Sequence, residues 1–209
     1  MNEKLIKKEG LLMKVLAICG SFRDESNTNK LVKKIAESSG CDCELIYLGK
    51  LEIKPCTGCA SCMMNEGRCA IDDDMQGLYD KLIHADALIV GSPTYYMDVS
   101  AAVKSLIDRS LALNYRGIGP EYAPGLPVMG HCALAGKKGI AITTVAGDGH
   151  KRALETLRLW LVDSHRLDLI DALAEIVGMN DVDDMPEVLR RAEIAGEKLG
   201  QAFKEVYNS

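Results

Sequence analysis

The clearest structural signal in the sequence is the segment KVLAICGSFRDESNT, residues 14–28. Its first part, Lys14–Cys19, is an almost continuous apolar run, which is typical of a parallel strand buried on both faces. Gly20 ends this run, and a loop rich in hydroxyl groups leads into an amphipathic helical pattern over Asn27–Ser39. A buried strand, a polar loop and a helix in this order predict the first unit of an α/β fold.

The rest of the sequence continues the alternation of strands and helices. Further strands are predicted at residues 43–48, 87–90, 139–144 and 167–177, and further helices after residue 74 and at residues 99–113, 150–162 and 185–207. Five such strands predict a doubly wound parallel sheet in the flavodoxin-like order 2-1-3-4-5, with right-handed crossovers. We expect residues 14–209 to form this one domain and residues 1–13 to form an N-terminal arm.

Composition and charge argue against several classes of protein. The chain has 209 residues, of which 47% are apolar, enough for one domain with a substantial core. Its net charge is −5 and no basic block occurs, so we do not expect nucleic acid to be a partner. No apolar run approaches the roughly 18–20 residues of a membrane span, so no membrane partner is expected either. Without a recognisable secretory signal, we expect a cytoplasmic protein with reduced cysteines.

The loop after the first strand has the composition of a phosphate site. In a doubly wound sheet, a ligand binds beyond the C-terminal ends of strands 1 and 3. At that position the sequence offers hydrogen-bond donors in Ser21, Arg23, Ser26, Asn27 and Thr28. The free N–H groups of a helix start favour an anion, and an arginine adds a charge-assisted hydrogen bond. Helix capping explains one such residue, but it does not explain the whole loop.

The pattern Ser21-x-Arg23-x-x-Ser26-Asn27-Thr28 resembles the corresponding loop in the NADPH-dependent FMN reductase branch of flavodoxin-like proteins. Residues 91–96, GSPTYY, follow the third strand and resemble the flavin-ring loop of the same branch. The resemblance covers the sequence from residue 14 to the C-terminus. It implies that the cofactor is FMN and that its phosphate binds to the first loop.

The resemblance also implies a site for the isoalloxazine ring of FMN, which suits aromatic and apolar walls. The implied contacts after strand 3 are Pro93, Thr94, Tyr95, Tyr96 and Met97, and those after strand 4 are Thr144 and Gly147. His150, at the start of the next helix, is a weaker candidate for a flavin contact. Without the phosphate loop, the two tyrosines would be interpreted as aromatics packed beside a strand end.

Four of the eight cysteines lie in the segment PCTGCASCMMNEGRC, residues 55–69, with the spacing C-x2-C-x2-C-x6-C. By spacing alone, this cysteine loop (residues 54–70) is compatible with an iron–sulfur cluster, a zinc site, or free or disulfide-bonded thiols. Successive C-x2-C steps favour a cluster, because they let one short loop wrap it. Structural zinc more often uses two separated cysteine pairs.

Within the FMN reductase branch, this loop resembles that of the iron–sulfur flavoproteins. The resemblance implies a [4Fe–4S] cluster held by Cys56, Cys59, Cys62 and Cys69. It implies an electron-transfer flavoprotein that takes single electrons from a ferredoxin-like donor and passes two to a small acceptor such as oxygen, peroxide or a quinone. It also implies a homodimer or homotetramer, in which residues 114–136 are a candidate interface or lid. No side-chain acid or base is expected to act in catalysis.

Two alternative functions stay open on the sequence alone. The first is an NAD(P)H-dependent FMN or quinone reductase whose cysteine loop holds zinc or free thiols. The second is a flavin-free redox or metal sensor that is not an enzyme. The flavin and metal contents of the purified protein discriminate among the three hypotheses.

Overall fold

The computed structural model describes residues 13–116 and 132–208. Within these ranges, six strands form one sheet: β1 (Lys14–Cys19), β2 (Asp42–Tyr47), β3 (Ala87–Tyr95), β4 (Asp98–Val99), β5 (Lys138–Val145) and β6 (Asp168–Ile176). The five longer strands run parallel in the order β2-β1-β3-β5-β6. β4 has two residues and pairs antiparallel with β3.

The sheet confirms the predicted flavodoxin-like α/β class and corrects the predicted strand count. The five parallel strands have the predicted spatial order, but β4 adds a sixth strand that the sequence does not predict. β3 is also longer than predicted, because it continues through Pro93 to Tyr95. Pro93 is tolerated since it pairs with Thr144 of β5 beyond the end of β1, whose last partner in β3 is Gly91.

Helices cover both faces of the sheet, as expected for parallel strands. They are α1 (Asn27–Ser39), α2 (Ser61–Met64), α3 (Met75–His84), α4 (Ala101–Arg109), α5 (His150–Arg158) and α6 (Pro186–Asn208). α1 and α6 pack on one face, where Leu31, Val32 and Ile35 of α1 are fully buried. α3, α4 and α5 pack on the other face. The apolar periodicity of these helices is therefore used to cover the sheet.

Two helices change type before their predicted ends. The segment predicted as a helix over residues 99–113 is α-helical only in α4 and continues as a 3-10 turn, Ser110–Tyr115. The segment 150–162 likewise continues from α5 into a π-helical turn, Leu159–Ser164. The indole N–H of Trp160 joins the two turns, since it donates to Ser110 Oγ at 2.8 Å. A buried hydrogen bond thus links the two irregular helix ends.

Two sequence-based expectations concern residues outside the described ranges. They are the N-terminal arm (residues 1–13), of which residues 1–12 lie outside, and the interface or lid (residues 114–136), of which residues 117–131 lie outside. Both stay predictions. Of the helices in the described part of the chain, none is long and apolar enough to cross a membrane.

Candidate functional site

The loops after β1 and β3 meet at the C-terminal edge of the sheet. The N–H of Gly20 donates to the carbonyl of Gly91 at 2.9 Å, and Ser100 Oγ donates to the carbonyl of Gly20 at 2.7 Å. A Cβ atom at Gly20 would lie 2.2 Å from the Gly91 oxygen, so only glycine permits this approach. The two loops predicted to carry the ligand are therefore held side by side at the topological switch point.

Hydrogen bonds among its own polar groups fix the conformation of the loop between β1 and α1. Ser26 caps α1, because its Oγ accepts from the N–H of Asn29 at 3.2 Å. Ser21 Oγ accepts from the N–H of Arg23 at 3.2 Å, and the Asn29 amide donates to the Arg23 carbonyl at 3.0 Å. The side chain of Arg23 is exposed. The loop thus presents a helix N-terminus and a guanidinium at the same edge, an arrangement suited to an anion.

Two of the predicted phosphate residues also have side-chain partners inside the protein. The Asn27 side chain donates to the carbonyl of Asn180 at 2.8 Å and accepts from the N–H of Val182 at 3.1 Å. It therefore fastens the segment after β6 to the start of α1. Thr28 Oγ1 lies 2.6 Å from Thr144 Oγ1, and both threonines are buried. Asn27 and Thr28 can still present their backbone N–H groups to an anion, because the first turn of a helix has no internal acceptor for them.

A strained turn joins β3 to β4. Its two central residues, Tyr96 and Met97, have φ angles of 46° and 73°, as in a type I′ hairpin turn. Such turns usually contain Asn or Gly, and a left-handed conformation costs other residues roughly 1–2 kcal/mol each. Tyr96 is nevertheless fully exposed, so the described residues do not bury its ring. Strained backbone of this kind is found mainly at functional sites.

Two buried polar atoms of this site, Thr94 Oγ1 and His150 Nδ1, have no hydrogen-bond partner among the described residues. They lie where the β5–α5 loop packs on the hairpin, since a Cβ atom at Gly149 would be 2.7 Å from Met97 Cα and 3.2 Å from Thr94 Cγ2. Buried polar atoms are almost always paired in proteins, so these two indicate that a partner is missing. A ligand with polar atoms of its own could supply that partner. Gly147 lies in the same loop with open space around it.

Two residues of this arrangement are absent from the sequence-based predictions. Asn29 closes the first loop, since its amide also donates to the carbonyl of Asp24 at 3.3 Å. A polar residue in the first turn of a helix, after a loop with many free carbonyls, is the signal that indicates such a role. Gly149 has a φ angle of 95°, and its missing side chain lets the two loops pack closely.

The cysteine loop lies on the surface after β2. Cys56 and Cys59 are exposed, whereas Cys62 and Cys69 are half-buried. Burial raises the pKa of the Cys62 thiol, and the negative charges of Cys69 and Cys56 raise this pKa further. The N–H of Ser61, the largest of several causes, lowers the pKa of Cys59. Cys59 therefore forms a thiolate more readily than Cys62 does.

Each interval between successive cysteines contains a residue with left-handed backbone. Gly58 has a φ angle of 67° in the first interval, Ala60 has 57° in the second, and Glu66 has 50° in the third. Such residues turn the chain sharply, which helps one short loop to direct several thiols to a common centre. However, no three His, Cys, Asp or Glu side chains of the described residues are arranged to hold a metal ion. The loop has the turns of a metal-binding loop without a closed set of ligands.

Comparison with known proteins identifies the family. Residues 13–180 match the family model of NADPH-dependent FMN reductases. Over 203 residues, the chain is also 30% identical to an iron–sulfur flavoprotein of Archaeoglobus fulgidus, a match that covers 93% of this chain and 82% of the relative. The chain belongs to the iron–sulfur flavoproteins. The family expected from the two loops and the cysteine spacing is thereby confirmed.

Another relative and two solved structures agree with this assignment. An iron–sulfur flavoprotein of Methanocaldococcus jannaschii is 46% identical over 105 residues, and the match spans 48% of this chain and 53% of that protein, about half of each. A flavone reductase has a TM-score of 0.70 at 20% identity, with coverage of 93% of this chain and 64% of that one. An NAD(P)H:quinone oxidoreductase from Methanothermobacter marburgensis has a TM-score of 0.67 at 14% identity, with coverage of 90% and 98%. At these identities the two structures show a shared fold alone.

Family membership confirms the expected enzyme class, a flavin-dependent oxidoreductase. FMN is the cofactor that this family assignment supports. The individual flavin and cysteine contacts stay predictions for this flavoprotein. The same holds for its electron donor, its acceptor, its cellular compartment and its assembly.

Proposed function

We propose that this flavoprotein is an electron-transfer oxidoreductase that binds FMN at the C-terminal edge of the sheet and a [4Fe–4S] cluster on its cysteine loop. The observation that carries the FMN site is the pair of buried, unpartnered atoms, Thr94 Oγ1 and His150 Nδ1. Beside them lies the strained turn of Tyr96 and Met97. A ligand with a flat ring, a polar rim and a phosphate would pair these atoms and also use the anion-ready start of α1.

For the FMN phosphate, we infer contacts to the loop after β1, namely Ser21, Arg23, Ser26, Asn27 and Thr28. Arg23 is exposed and forms no ion pair with any described residue, so its guanidinium is available for a charge-assisted hydrogen bond. The N–H groups of the first turn of α1 supply neutral donors. Together these groups would fix one end of the cofactor.

For the isoalloxazine ring, we infer contacts to Pro93, Thr94, Tyr95, Tyr96 and Met97 after β3 and to Thr144 and Gly147 after β5. Tyr95, Tyr96 and Met97 are exposed and offer apolar surface for a flat ligand to cover. Bound there, FMN supplies the electron-transfer chemistry. The protein residues orient the ring, pair its polar rim and exclude water from one side.

For the cluster, we infer ligation by Cys56, Cys59, Cys62 and Cys69. The left-handed residue in each interval supports a loop that can bring four thiolates together. Bound there, a cluster supplies one-electron chemistry, which suits a ferredoxin-like donor. We further propose a small-molecule acceptor and a homodimer or homotetramer.

A second candidate function is an NAD(P)H-dependent FMN or quinone reductase without a cluster. The side chains of the described residues form no closed group of metal ligands, which agrees with the free-thiol form of this alternative rather than with its zinc form. In this case the cysteine loop would hold zinc or free thiols, and NAD(P)H would be the reductant. A flavin-free sensor is disfavoured by membership in a flavoprotein family.

Anaerobic purification followed by cofactor analysis tests these proposals. We expect about one FMN, about four iron atoms and about four acid-labile sulfides per chain, with the broad visible absorption of a cluster. Zinc without iron would contradict the cluster. Rapid flavin bleaching by NAD(P)H alone would favour the second candidate, and a protein that binds no FMN would contradict both.

A further inference from the structure

A buried ion pair lies beside the cysteine loop. Arg109, at the end of α4, and Asp73, just before α3, have side chains that are 0% and 1% exposed. The pair is two-pronged, because Arg109 Nη1 donates to Asp73 Oδ2 at 2.7 Å and Nη2 donates to Asp73 Oδ1 at 3.0 Å. A buried ion pair rarely adds stability over apolar packing, but its two parallel hydrogen bonds hold the two side chains in one defined geometry.

The same ion pair holds both ends of the cysteine loop. Arg109 Nη1 donates to the carbonyl of Lys54 at 2.9 Å, where the loop begins, and Nη2 donates to the carbonyl of Ile71 at 3.3 Å, just after the loop ends. Asp73 Oδ2 also accepts from the N–H of Lys54 at 2.9 Å. All four cysteines therefore lie between two backbone points that are fastened to one guanidinium and one carboxylate.

The second half of the loop, which leads to Cys69, has further anchors. Gln76 Nε2 donates to the carbonyl of Cys69 at 3.0 Å. A Cβ atom at Gly67 would lie 2.5 Å from the carbonyl oxygen of Ala112, so this part of the loop lies directly on the turn after α4. By contrast, residues 54–60, which include the first two cysteines, are exposed. Cys69, which follows the longest interval between cysteines, is therefore better anchored than Cys56 and Cys59.

We infer that Asp73, Gln76 and Arg109 form a loop clamp that keeps Cys69 within reach of the other three cysteines. The inference rests on the proposed function only in taking metal binding as the task of the loop. The longest interval, between Cys62 and Cys69, is the one in which the chain has most freedom, so a closed four-thiolate site requires its end to be fixed. The clamp fixes it through the backbone, and Arg109 is a positioning residue that binds no metal itself.

The test uses the full chain with FMN bound and its cysteine loop free of metal. Arg109→Lys keeps the charge but loses the planar fork. Gln76→Leu keeps the size of the side chain and removes its hydrogen bonds to the carbonyls of Cys69 and Ile71, at 3.0 and 2.6 Å. Arg191→Lys is the control for losing a fork away from the cysteine loop, because Arg191 of α6, whose side chain is half-exposed, forms a similar fork to Glu175 at 2.8 and 2.6 Å. Each variant is titrated with Co²⁺, whose thiolate absorption bands report the ligand set, and is then subjected to limited proteolysis.

We expect Arg109→Lys to lower the Co²⁺ affinity about 10- to 100-fold, as is typical for residues that orient metal ligands. We also expect its first proteolytic cut to move into residues 54–70, with an unchanged FMN content. Gln76→Leu should lower the affinity about 10-fold, and it carries the test by itself if Arg109→Lys does not fold. Arg191→Lys should behave like the wild type. Because Arg109→Lys keeps the positive charge, a loss of Co²⁺ affinity in this variant would mark the geometry of the fork, rather than its charge, as the cause.

The inference is overturned if the clamp variants keep the wild-type affinity and cleavage pattern, or if Arg191→Lys loses as much. A wild-type protein that binds no Co²⁺ overturns it as well. Iron analysis distinguishes a failure of the clamp from a failure of the proposed cluster. Wild-type protein without iron but with clamp-dependent Co²⁺ binding contradicts the cluster alone, whereas iron that is retained in full by Arg109→Lys contradicts the clamp alone.

Discussion

Thr94 Oγ1, His150 Nδ1 and the turn of Tyr96 and Met97 are all unfavourable features of the protein without a ligand. An unpaired buried polar group costs about 1–3 kcal/mol, and each left-handed non-glycine residue costs roughly 1–2 kcal/mol. A ligand that pairs these atoms and needs this turn offsets part of that free energy. Substitutions here should therefore move the stability of the flavin-free protein and the affinity for FMN in opposite directions.

Replacement of Thr94 by valine removes the unpaired hydroxyl and keeps the shape of the side chain. We expect the free energy of unfolding of the flavin-free protein to rise by about 1 kcal/mol, and FMN to bind about tenfold more weakly. Chemical denaturation and a fluorescence titration with FMN measure the two quantities. Thr143→Val is the control, because Thr143 Oγ1 donates to the carbonyl of His150 at 3.3 Å, and its loss should lower stability. Lower stability in both variants would contradict the prediction.

Replacement of Met97 by glycine relieves the strain of the hairpin turn. Because glycine adopts a φ of 73° without penalty, we expect the free energy of unfolding to rise by about 1 kcal/mol. FMN affinity should fall, since the turn loses both its side chain and its rigidity. Met97→Ala is the control, because it loses nearly the same side chain and keeps the strain. Equal stability of the glycine and alanine variants, measured by urea denaturation, would show that the turn is not strained.

At the scale of elements, apolar runs predict the five long strands well. They do not predict the short strand β4 or the ion pair between Asp73 and Arg109. β1 and α1 have the predicted bounds, because buried strands and amphipathic helices carry strong periodic signals. β4 is missed because its turn has Tyr96 and Met97 where hairpins usually have Asn and Gly. The pairing of Asp73 with Arg109 is invisible for another reason, since no local pattern joins residues so far apart in sequence.

The junction between the turn after α4 and the π-helical turn after α5 should make stability depend on pH. His165 is buried there, with Nε2 at 2.9 Å from Ser110 Oγ and Nδ1 at 3.4 Å from Cys132 Sγ. Burial lowers its pKa from 6.5 to about 4. The unfolded chain therefore binds a proton at a higher pH than the folded protein does. Stability contributed by neutral His165 is complete above pH 6.5 and is lost as the pH falls through about 4.

We expect this loss to total about 3 kcal/mol between pH 6.5 and 4, since each pKa unit corresponds to about 1.4 kcal/mol. The measurement is urea denaturation at several pH values, for the wild type and for His165→Gln, which cannot gain a proton. Carboxylates that titrate in the same window contribute equally to both proteins, so the difference between the two curves isolates His165. If the stability of the two proteins fell in parallel with pH, the pKa of His165 would not be lowered by burial as predicted.

At the scale of the whole molecule, the two candidate cofactor sites belong to different parts of the sheet. The loops proposed to bind FMN follow the central strands β1, β3 and β5, whereas the cysteine loop follows β2 at the edge and is held by hydrogen bonds from Gln76 of α3 and Arg109 of α4. A central site lets FMN binding act on the folding of the whole domain. A site on an edge loop can be formed or lost with little effect on the rest. We therefore expect metal loading to alter local protection of the cysteine loop, and FMN to alter global stability.

FMN should accordingly stabilise the complete domain by mass action. At a free concentration of about 100 times its Kd, FMN should raise the free energy of unfolding by about 2.7 kcal/mol. Riboflavin has the same ring but no phosphate, so its effect at equal concentration should be smaller. Arg23→Ala should weaken FMN binding about 10- to 100-fold, the range for a hydrogen bond to a charged group, and should leave riboflavin binding unchanged.

The comparison of the two flavins makes this last test specific for the phosphate. The guanidinium of Arg23 has no hydrogen-bond or ion-pair partner among the described residues, so Arg23→Ala, which keeps the backbone hydrogen bonds, should not change the stability of the flavin-free protein. Thermal unfolding of wild type and Arg23→Ala, each with FMN, riboflavin or no flavin, gives all the required differences in Tm. An Arg23→Ala variant that keeps the full FMN shift would place the phosphate away from the loop after β1. A variant that loses both flavin shifts would place Arg23 at the ring instead.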